Sequence, residues 1–314
     1  MPDVVKKGNK RGIQTYLCKN CNKYFSGARR TNFSLIKNIW KDYVFHKQTF
    51  RELEHKHNLD KRTVRKLLEK YESPEKTHNP RKVDMVVDAT YFGLRKENTS
   101  WCLIVFRCPK SKENLWWRFC DTETTSVYRE GREHLEKLGY IILSVTGDGF
   151  GGIRQAFYGI PFQMCHVHME RLVVKGTTKN PQTEAGIVLL SLVRTLKDTD
   201  PSTFKSRLKK FFDKYHSFMN EKTIHPISGE WSYSHEGVRF AYKSLVNFEK
   251  FLFTYKQNKN ISRTTNSLEG HFSHINRVTS IHRGLSKTQK EKVINSICLA
   301  SSVAPSEEKL KHIL

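Results

Sequence analysis

The run Tyr140–Thr146, which is nearly continuous in β-forming residues, is the feature that most limits how this chain can fold. Such a run predicts a strand buried on both faces, within a sheet that helices cover on both sides. Asp148 follows directly, between Gly147 and Gly149. Open α/β sheets place functional sites at the carboxyl ends of their strands, and glycines let another backbone approach closely. Aspartate is also common in turns, so Asp148 alone does not establish a site.

The segments on either side of that strand predict a mixed α/β domain. Three apolar or aromatic runs separated by polar loops precede it, as in a three-stranded meander. The predicted ranges are 82–92, 101–106 and 115–119 for the meander, 125–138 for a helix, 140–146 for the strand, then 152–158 for a helix and 162–167 for a last strand. This order, β-β-β-α-β-α-β, predicts a mixed five-stranded sheet with flanking helices, and not an all-parallel one.

Two other acids lie in sequence contexts that need an explanation. Asp88 interrupts the first strand of the meander, where the neighbouring residues are mostly apolar. Glu269 lies near the start of a predicted helix whose apolar positions share one face. With Asn266 as N-cap, Glu269 would be an ordinary capping residue. Each acid taken singly is therefore more often structural than catalytic.

The residues before the meander predict a small helical domain. Apolar positions recur at helical spacing from Leu35 to Val44, and Thr49 with Glu52 fits a capping box that begins a second helix. After a turn at 58–60, a third helix carries basic residues on its exposed face: Lys61, Arg62, Arg65 and Lys66. This layout is typical of a helix-turn-helix, in which one helix enters the major groove of DNA. A solvated basic face on an ordinary helical hairpin is the alternative.

Cys18 and Cys21 have the two-residue spacing of paired zinc ligands. A closed structural zinc site needs four ligands, and no second cysteine pair lies nearby in the sequence. The segment therefore resembles the second half of a zinc ribbon that holds Zn²⁺ weakly. Two reduced cysteines in a hairpin are the alternative, and the sequence leaves both open.

Composition narrows the choice of partner and compartment. Lys and Arg outnumber Asp and Glu by 55 to 31, and a formal net charge of +24 makes nucleic acid the first partner to consider. No apolar stretch approaches the ~20 residues of a membrane-spanning helix, and no secretory signal follows Met1. Seven cysteines, an odd number, favour a reducing compartment over a disulfide framework. We therefore expect a cytoplasmic, nucleoid-associated protein without a membrane partner.

Changes in composition along the chain predict its domain organisation. Pro74 and Pro80 bracket a polar stretch typical of a linker. Three amphipathic segments, at 184–196, 202–219 and 234–255, occupy the long interval between Asp148 and Glu269 and predict an inserted helical subdomain. The predicted parts are a partial zinc-ribbon segment at 1–30, a helix-turn-helix domain at 31–73, a linker at 74–81, and an α/β domain at 82–314 with a helical insertion at about 179–256.

Taken together, the three acids and their neighbours resemble the DDE transposases of Mutator-like bacterial insertion sequences. The matching positions are Asp88 in Val-Val-Asp-Ala-Thr-Tyr, Asp148 in Gly-Asp-Gly-Phe-Gly-Gly-Ile, and Glu269 in Thr-Thr-Asn-Ser-Leu-Glu-Gly. Cys165-His-Val-His168 is similar to the Cys-x-x-His pair that these enzymes carry after the second aspartate. The resemblance implies an RNase H-like catalytic domain with Asp88, Asp148 and Glu269 as its triad. The incomplete zinc ribbon departs from the family's pattern.

The resemblance also implies the chemistry. The triad would converge within ligand distance of two Mg²⁺ (or Mn²⁺) ions, with Asp88 bridging, Asp148 on one ion and Glu269 on the other. Hard cations prefer carboxylate oxygens, and they would relieve the repulsion among three close acids. The implied reaction cleaves DNA at terminal inverted repeats and joins it to target DNA, in a homodimer or larger assembly. Arg171, Lys175 and Arg277 are further candidates for phosphate contacts.

Two questions stay open at this point. Cys165 and His168 are either a hydrogen-bonded pair beside the acids or part of a zinc site, although two ligands do not close one. The chain is either a transposase or a protein that only binds DNA, namely a transcription regulator or a catalytically inactive relic of a transposase. A nuclease of the RNase H type has no evident use for the helix-turn-helix or the insertion. The presence of all three acids favours the transposase.

Overall fold

The computed structural model describes residues 3–10, 12–26, 32–94 and 99–302, and the chain divides into two compact units, Met1–Glu72 and Ser73–Leu314. Positions 1–2, 11 and 27–30 of the predicted ribbon segment lie outside the described residues, as do position 31 of the predicted helix-turn-helix domain and positions 95–98 and 303–314 of the predicted α/β domain. Among the residues described, no helix is both long enough and apolar enough to cross a membrane.

The first unit contains a small antiparallel sheet and three helices. Its strands, β1 (Val4–Lys10), β2 (Ile13–Cys18) and β3 (Tyr24–Ser26), lie in chain order across the sheet. The three predicted helices are present as α1 (Phe33–Val44), α2 (Phe50–His57) and α3 (Lys61–Glu69).

Local sequence explains where these helices begin and end. The Thr49 hydroxyl accepts a hydrogen bond from the Glu52 amide, and the Glu52 carboxylate accepts one from the Thr49 amide, so the predicted capping box is confirmed. Asn58 ends α2 in the left-handed region, with φ of 52°. The buried Asp42 carboxylate of α1 then fixes α2, because Lys56 Nζ and His57 Nε2 each lie 2.8 Å from it.

The second unit is built on a mixed five-stranded sheet, as predicted. Its strands are β4 (Lys82–Phe92), β5 (Trp101–Cys108), β6 (Glu113–Cys120), β7 (Ile141–Gly147) and β8 (Phe162–Met164), in the spatial order β6-β5-β4-β7-β8. β4, β5 and β6 form the predicted antiparallel meander, while β7 and β8 continue from β4 in parallel. The carboxyl ends of β4, β6, β7 and β8 therefore share one side of the sheet, which we call the carboxyl edge.

Two helices connect these strands, α4 (Thr125–Lys137) and α5 (Gly151–Ala156), and a third, α6 (His166–Thr177), follows β8. The fully buried Tyr128 of α4 stacks on Phe106 of β5, with ring centroids 5.9 Å apart. Gly131 permits this close approach, because a Cβ there would lie 2.6 Å from the Phe106 ring. The core of the second unit thus forms between α4 and the centre of the sheet.

Two predictions about the last strands were wrong in detail. β8 ends at Met164 and not at Val167, so Cys165 is the N-cap of α6 and His168 lies in its first turn. The strand ends because the His166 amide bonds to the Arg263 carbonyl, which belongs to a distant segment. β7 is not buried on both faces throughout: Ile141 and Leu143 are 54% and 39% exposed, and full burial begins at Ser144.

The interval between Asp148 and Glu269 contains the predicted helices as α7 (Glu184–Arg194), α8 (Pro201–Asn220) and α9 (Glu236–Phe248). A short hairpin that the sequence did not predict, β9 (Lys222–Ile224) and β10 (Trp231–Tyr233), separates α8 from α9. The helix predicted to reach 255 ends at Phe248 and continues as single 3-10 turns. α9 touches α6 backbone to backbone, because a Cβ on Gly237 would lie 2.2 Å from the Gly176 carbonyl oxygen.

The last two helices are α10 (Asn266–Ile281) and α11 (Lys287–Ala300). They dock on the sheet through side-chain hydrogen bonds: Asn114 of β6 reaches His271 Nε2 of α10 at 2.9 Å, and Trp117 Nε1 donates to Asn295 Oδ1 of α11 at 2.9 Å. The predicted cap of α10 was wrong. Thr265 is the N-cap, Asn266 is already helical, and no side chain caps the helix.

Candidate active site

Asp88 lies on β4, the central strand of the sheet, and is only 8% exposed. Its Oδ1 accepts a hydrogen bond from the Ala89 amide at 2.9 Å. Burial raises the pKa of Asp88 from 3.8 to about 6; the positive charge of His168 opposes this shift, and the negative charge of Asp148 adds to it. A buried acid beside another acid is costly to ionise, so a bound cation would stabilise this carboxylate.

Asp148 reaches the same place because β4 and β7 are parallel neighbours. Val86 pairs with Thr146, so Asp88 and Asp148 each lie two residues beyond that pair. β7 ends at Gly147, and the Asp148 Oδ1 accepts a hydrogen bond from the Phe150 amide at 2.9 Å in the turn that leads to α5. Asp88, inside β4, is thus level with Asp148, which directly follows the carboxyl end of the neighbouring strand β7.

Cys165 and His168 lie beside these acids at the start of α6. The Cys165 amide donates to the Gly147 carbonyl at 2.8 Å, and its Sγ accepts from the Thr265 amide at 3.3 Å. The Thr265 hydroxyl is 3.5 Å from that sulfur and 3.4 Å from His168 Nδ1. Burial disfavours charge on both side chains, but their mutual hydrogen bond lowers the pKa of Cys165 and, with the Asp88 charge, raises the pKa of His168.

Two contacts bring the segment before α10 to the carboxyl edge. Thr146 Oγ1 donates to the Ser262 carbonyl at 2.7 Å, and the His166 amide donates to the Arg263 carbonyl at 3.0 Å. α10 therefore begins next to the ends of β7 and β8, and Glu269 lies in its first turn.

Glu269 forms an ion pair with Arg171 of α6. The Glu269 Oε1 atom is 2.8 Å from Arg171 Nη1, and among the described residues this ion pair is the contact that holds the buried oxygen. Arg171 Nη1 is also 3.2 Å from His168 Nε2. His168 in turn interacts electrostatically with Asp88 and Asp148. Arg171 and His168 thus link Glu269 to the two aspartates.

The sequence led us to expect the three acids within ligand distance of shared ions. Within the described ranges, no three His, Cys, Asp or Glu side chains are grouped closely enough to hold a metal ion. Glu269 is paired with Arg171 instead. The donor set nevertheless fits a hard divalent cation, because it consists of carboxylates. Among the described residues, the buried Asp88 carboxylate accepts its hydrogen bond from a neutral backbone amide and not from a cationic side chain. Cys165 and His168 likewise have no third ligand close by among the described residues, and two ligands are too few for a closed zinc site.

Glu123 is a further acid at this edge that we did not predict. It lies between β6 and α4, and its Oε1 and Oε2 accept hydrogen bonds from the hydroxyls of Tyr128 at 2.6 Å and Tyr91 at 3.5 Å. Burial raises its pKa; the Tyr128 hydrogen bond opposes that shift, and the charge of Asp148 adds to it. The sequence did hold a signal, because the third strand of a meander ends on the same side as the first, and Glu123 follows that strand closely.

The other predicted basic residues have local partners. Lys175 Nζ lies 5.8 Å from the centre of the Phe240 ring, and Arg277 Nη2 lies 3.3 Å from His274 Nδ1. Arg171 differs from them because its partner is Glu269, at the candidate site.

In the first unit, α3 presents the predicted basic residues to solvent, whereas its Val64 and Leu68 are buried. The exposed residues are Lys61, Arg62, Arg65 and Lys66. Asp60 caps the helix by accepting a hydrogen bond from the Thr63 amide at 3.0 Å. Basic side chains at the start of an exposed helix can contact DNA phosphates and base edges.

Cys18 ends β2, and Cys21 lies in the turn toward β3. Hydrogen bonds from the Cys21 amide and side chain lower the pKa of the Cys18 thiol. The two thiols thus face one another in a hairpin, which is compatible with both the zinc and the reduced-cysteine interpretations.

No protein-family model and no curated protein matches the chain. Among solved structures, it is similar to the integrase catalytic core domain of HTLV-2 in complex with magnesium, with 15% identity, a TM-score of 0.22, and coverage of 48% of this chain and 93% of that one. It is also similar to a simian T-cell lymphotropic virus intasome in complex with a PP2A regulatory subunit, with 14% identity, a TM-score of 0.23, and coverage of 66% and 65%.

A third similar structure is the Drosophila P element transposase strand transfer complex. It has 11% identity and a TM-score of 0.32, and the match covers 94% of this chain and 87% of that one. Because all three TM-scores are low, the assignment of function rests on the side chains of this protein.

Proposed function

We propose that this protein is a DDE transposase with an RNase H-like catalytic domain, of the type found in Mutator-like bacterial insertion sequences. One observation carries the proposal: the parallel register of β4 and β7, in which Asp88 on β4 and Asp148, directly after the end of β7, each follow the Val86–Thr146 pair by two residues. The linkage of Glu269 to this pair through Arg171 and His168 supports it.

In this proposal Asp88, Asp148 and Glu269 hold Mg²⁺ or Mn²⁺ at the carboxyl edge. When bound, two such ions would activate an oxygen nucleophile and stabilise the charge that develops in phosphodiester cleavage. Asp88 contributes a carboxylate whose ionisation a cation favours, because burial and the Asp148 charge oppose it otherwise. Glu269 contributes a carboxylate whose buried oxygen, in the part of the chain that the structure describes, is held by its ion pair with Arg171.

The residues around the triad have distinct tasks in this proposal. Cys165 and Thr265 fix the orientation of His168, and the His168 side chain balances part of the negative charge of the aspartates. Arg171, whose side chain is 57% exposed and paired with Glu269, would be available for a DNA phosphate if a cation were bound by Glu269.

DNA binding is the second part of the proposal. The exposed basic residues of α3 contact the terminal inverted repeats, with Arg62 and Arg65 on phosphates. The net charge of +24 favours the binding of DNA in general. A transposase has to hold both ends of its mobile element together with the target DNA. This requires a dimer or a larger assembly.

The direct experiment is a cleavage assay on supercoiled plasmid that carries the DNA flanking the gene. Wild-type protein should nick or linearise it in Mg²⁺ or Mn²⁺ and not in EDTA. The variants Asp88→Asn, Asp148→Asn and Glu269→Gln should each reduce the cleavage rate by at least about 100-fold, the scale expected when a metal ligand is lost. Asp198→Asn, which changes a 71% exposed acid, is the matched control and should cleave normally.

Binding measurements separate this function from the alternative. If the wild-type protein binds the flanking DNA but none of the conditions yields cleavage, the chain is a DNA-binding regulator or an inactive relic. If any one of the three variants cleaves at the wild-type rate, that residue does not belong to the triad.

A further inference from the structure

Cys102 and Cys120 bring two thiols together on neighbouring strands of the central sheet. Cys102 of β5 is directly opposite Cys120, the last residue of β6. Their Sγ atoms are 3.2 Å apart, and both residues are free cysteines. Cys102 is fully buried, whereas Cys120 is partly accessible to solvent.

The backbone already has the geometry of a disulfide. Directly opposed residues in antiparallel strands have Cα atoms about 4.5–5.5 Å apart, within the range that disulfides span. Because a disulfide bond is about 2.05 Å long, the two sulfurs, now 3.2 Å apart, need to approach by only about 1 Å. Small rotations of the two side chains suffice, and the strands need not move.

The two thiols also differ in reactivity. The hydrogen bond between the two thiols lowers the pKa of Cys120, against the effect of burial, and it raises the pKa of Cys102. Cys120 is therefore the more acidic thiol of the pair as well as its more accessible member. Such a thiol, next to a second one that can resolve its oxidised form, has the arrangement of redox-responsive cysteines.

We propose that Cys102 and Cys120 are a redox-modifiable pair that closes a disulfide between β5 and β6 when peroxide is present. The Cys120 thiolate attacks hydrogen peroxide, gains one oxygen as a sulfenic acid and releases hydroxide. Cys102 then attacks the Cys120 sulfur, the S–O bond breaks, and the proton of the Cys102 thiol leaves with the hydroxyl as water. In total two thiols and one peroxide give one disulfide and two water molecules.

The position of the pair links it to the carboxyl edge, although the proposal does not depend on the proposed function. Tyr91 of β4 is opposite Cys102, and the Tyr91 hydroxyl donates to Glu123, three residues after Cys120. The disulfide would fix the end of β6 directly before Glu123. A thiol reductant would reverse it.

Peptide mapping after oxidation tests the proposal. Cys18 and Cys21 can form their own disulfide, so the experiment uses the full chain with Cys18→Ser and Cys21→Ser. The protein is treated with a few equivalents of hydrogen peroxide, alkylated, and digested with trypsin. We expect a mass loss of about 2 Da in the intact protein and a cross-linked pair of peptides, 97–107 with 119–129, each of which holds one of the two cysteines.

Two further variants make the outcome decisive. In the same background, Cys102→Ser should leave a sulfenic acid on Cys120 that dimedone labels, and Cys120→Ser should abolish both the cross-link and the label at these peptides. Circular dichroism checks that each variant is folded. Full alkylation of both peptides after peroxide treatment of the folded protein, or a cross-link from Cys102 or Cys120 to another cysteine, would overturn the proposal.

Discussion

Asp88 and Asp148 stand side by side because each lies two residues beyond the paired residues Val86 and Thr146 of adjacent parallel strands. The sheet therefore forces two carboxylates together at one edge, and Asp88 is almost completely buried there. Such an arrangement lowers the stability of the fold when no cation is present. A cost of this kind is expected at a site that is organised for a ligand.

The first prediction concerns the stability of Asp88→Asn. The pKa of Asp88 is about 6 in the folded protein and near 3.8 in the unfolded chain. As pH rises between these values, the unfolded chain loses this proton before the folded protein does, so the free energy of unfolding decreases. Above pH 6 the full penalty applies, up to about 3 kcal/mol for a shift of about two units. In EDTA, Asp88→Asn should therefore be more stable than wild type at pH 7.5.

Urea unfolding at pH 7.5 and pH 4 measures this effect. The advantage of Asp88→Asn should shrink at pH 4, where the wild-type carboxyl group is protonated in the folded state. Asp198→Asn at an exposed position should change little at either pH. If Asp88→Asn were less stable than wild type at pH 7.5 in EDTA, the negative charge of the buried Asp88 carboxylate would not destabilise the fold, contrary to this prediction.

The second prediction concerns Thr265→Val. Thr265 is fully buried, and its hydroxyl lies between the Cys165 sulfur and His168 Nδ1. Removing this hydroxyl deletes one of the polar contacts of the Cys165 sulfur and of His168 Nδ1, and should cost about 1 kcal/mol of unfolding free energy. The proposed function further predicts slower cleavage, because His168 is less firmly oriented. Thr195→Val, at an exposed position, is the control for urea unfolding; equal stability of the two variants would argue against the hydrogen-bonded unit.

The third prediction concerns Gly237→Ala. A Cβ at this position would lie 2.2 Å from the Gly176 carbonyl oxygen, so α9 must move away from α6, the helix that carries His168 and Arg171. We expect a loss of about 2–4 kcal/mol in unfolding free energy. Gly270→Ala in α10 meets no atom within 4 Å and should be neutral or should stabilise the protein by about 0.5–1 kcal/mol. Thermal unfolding of both variants tests the contact between Gly237 and the Gly176 carbonyl oxygen. Equal unfolding midpoints for the two variants would contradict this contact.

The fourth prediction concerns α3 and DNA. Replacing Arg62 and Arg65 by alanine should weaken binding of duplex DNA and reduce the slope of log K against log[salt] by about 1–2, since each phosphate contact contributes about 0.9. Arg129→Ala with Lys137→Ala removes two exposed basic residues of α4 and serves as the control. Fluorescence anisotropy over a range of salt concentrations gives both slopes. If the α3 variant has the same slope of log K against log[salt] as wild type, Arg62 and Arg65 do not contact phosphates.

Much of the fold could be predicted because it depends on local patterns. The meander, the strand that leads to Asp148 and the capping box of Thr49 with Glu52 follow from residue type and spacing. The amphipathic segments of the insertion likewise appear as α7, α8 and most of α9.

The remainder depends on contacts between distant segments. β8 ends early because the Arg263 carbonyl takes the His166 amide, and no pattern in residues 162–167 encodes that partner. The ion pair of Glu269 with Arg171 joins two helices that are remote in sequence. Glu123 was missed because its importance comes from the tyrosines and aspartates around it and not from its own neighbours in the chain.

Binding of Mn²⁺ to the metal-free protein, measured by isothermal titration calorimetry, tests most directly whether Asp88, Asp148 and Glu269 form one cation site. We predict saturable binding to wild type and to Asp198→Asn, and affinities reduced at least about tenfold in Asp88→Asn, Asp148→Asn and Glu269→Gln. Wild-type affinity in any one of these three variants, or no saturable binding in the wild-type protein, would contradict the account.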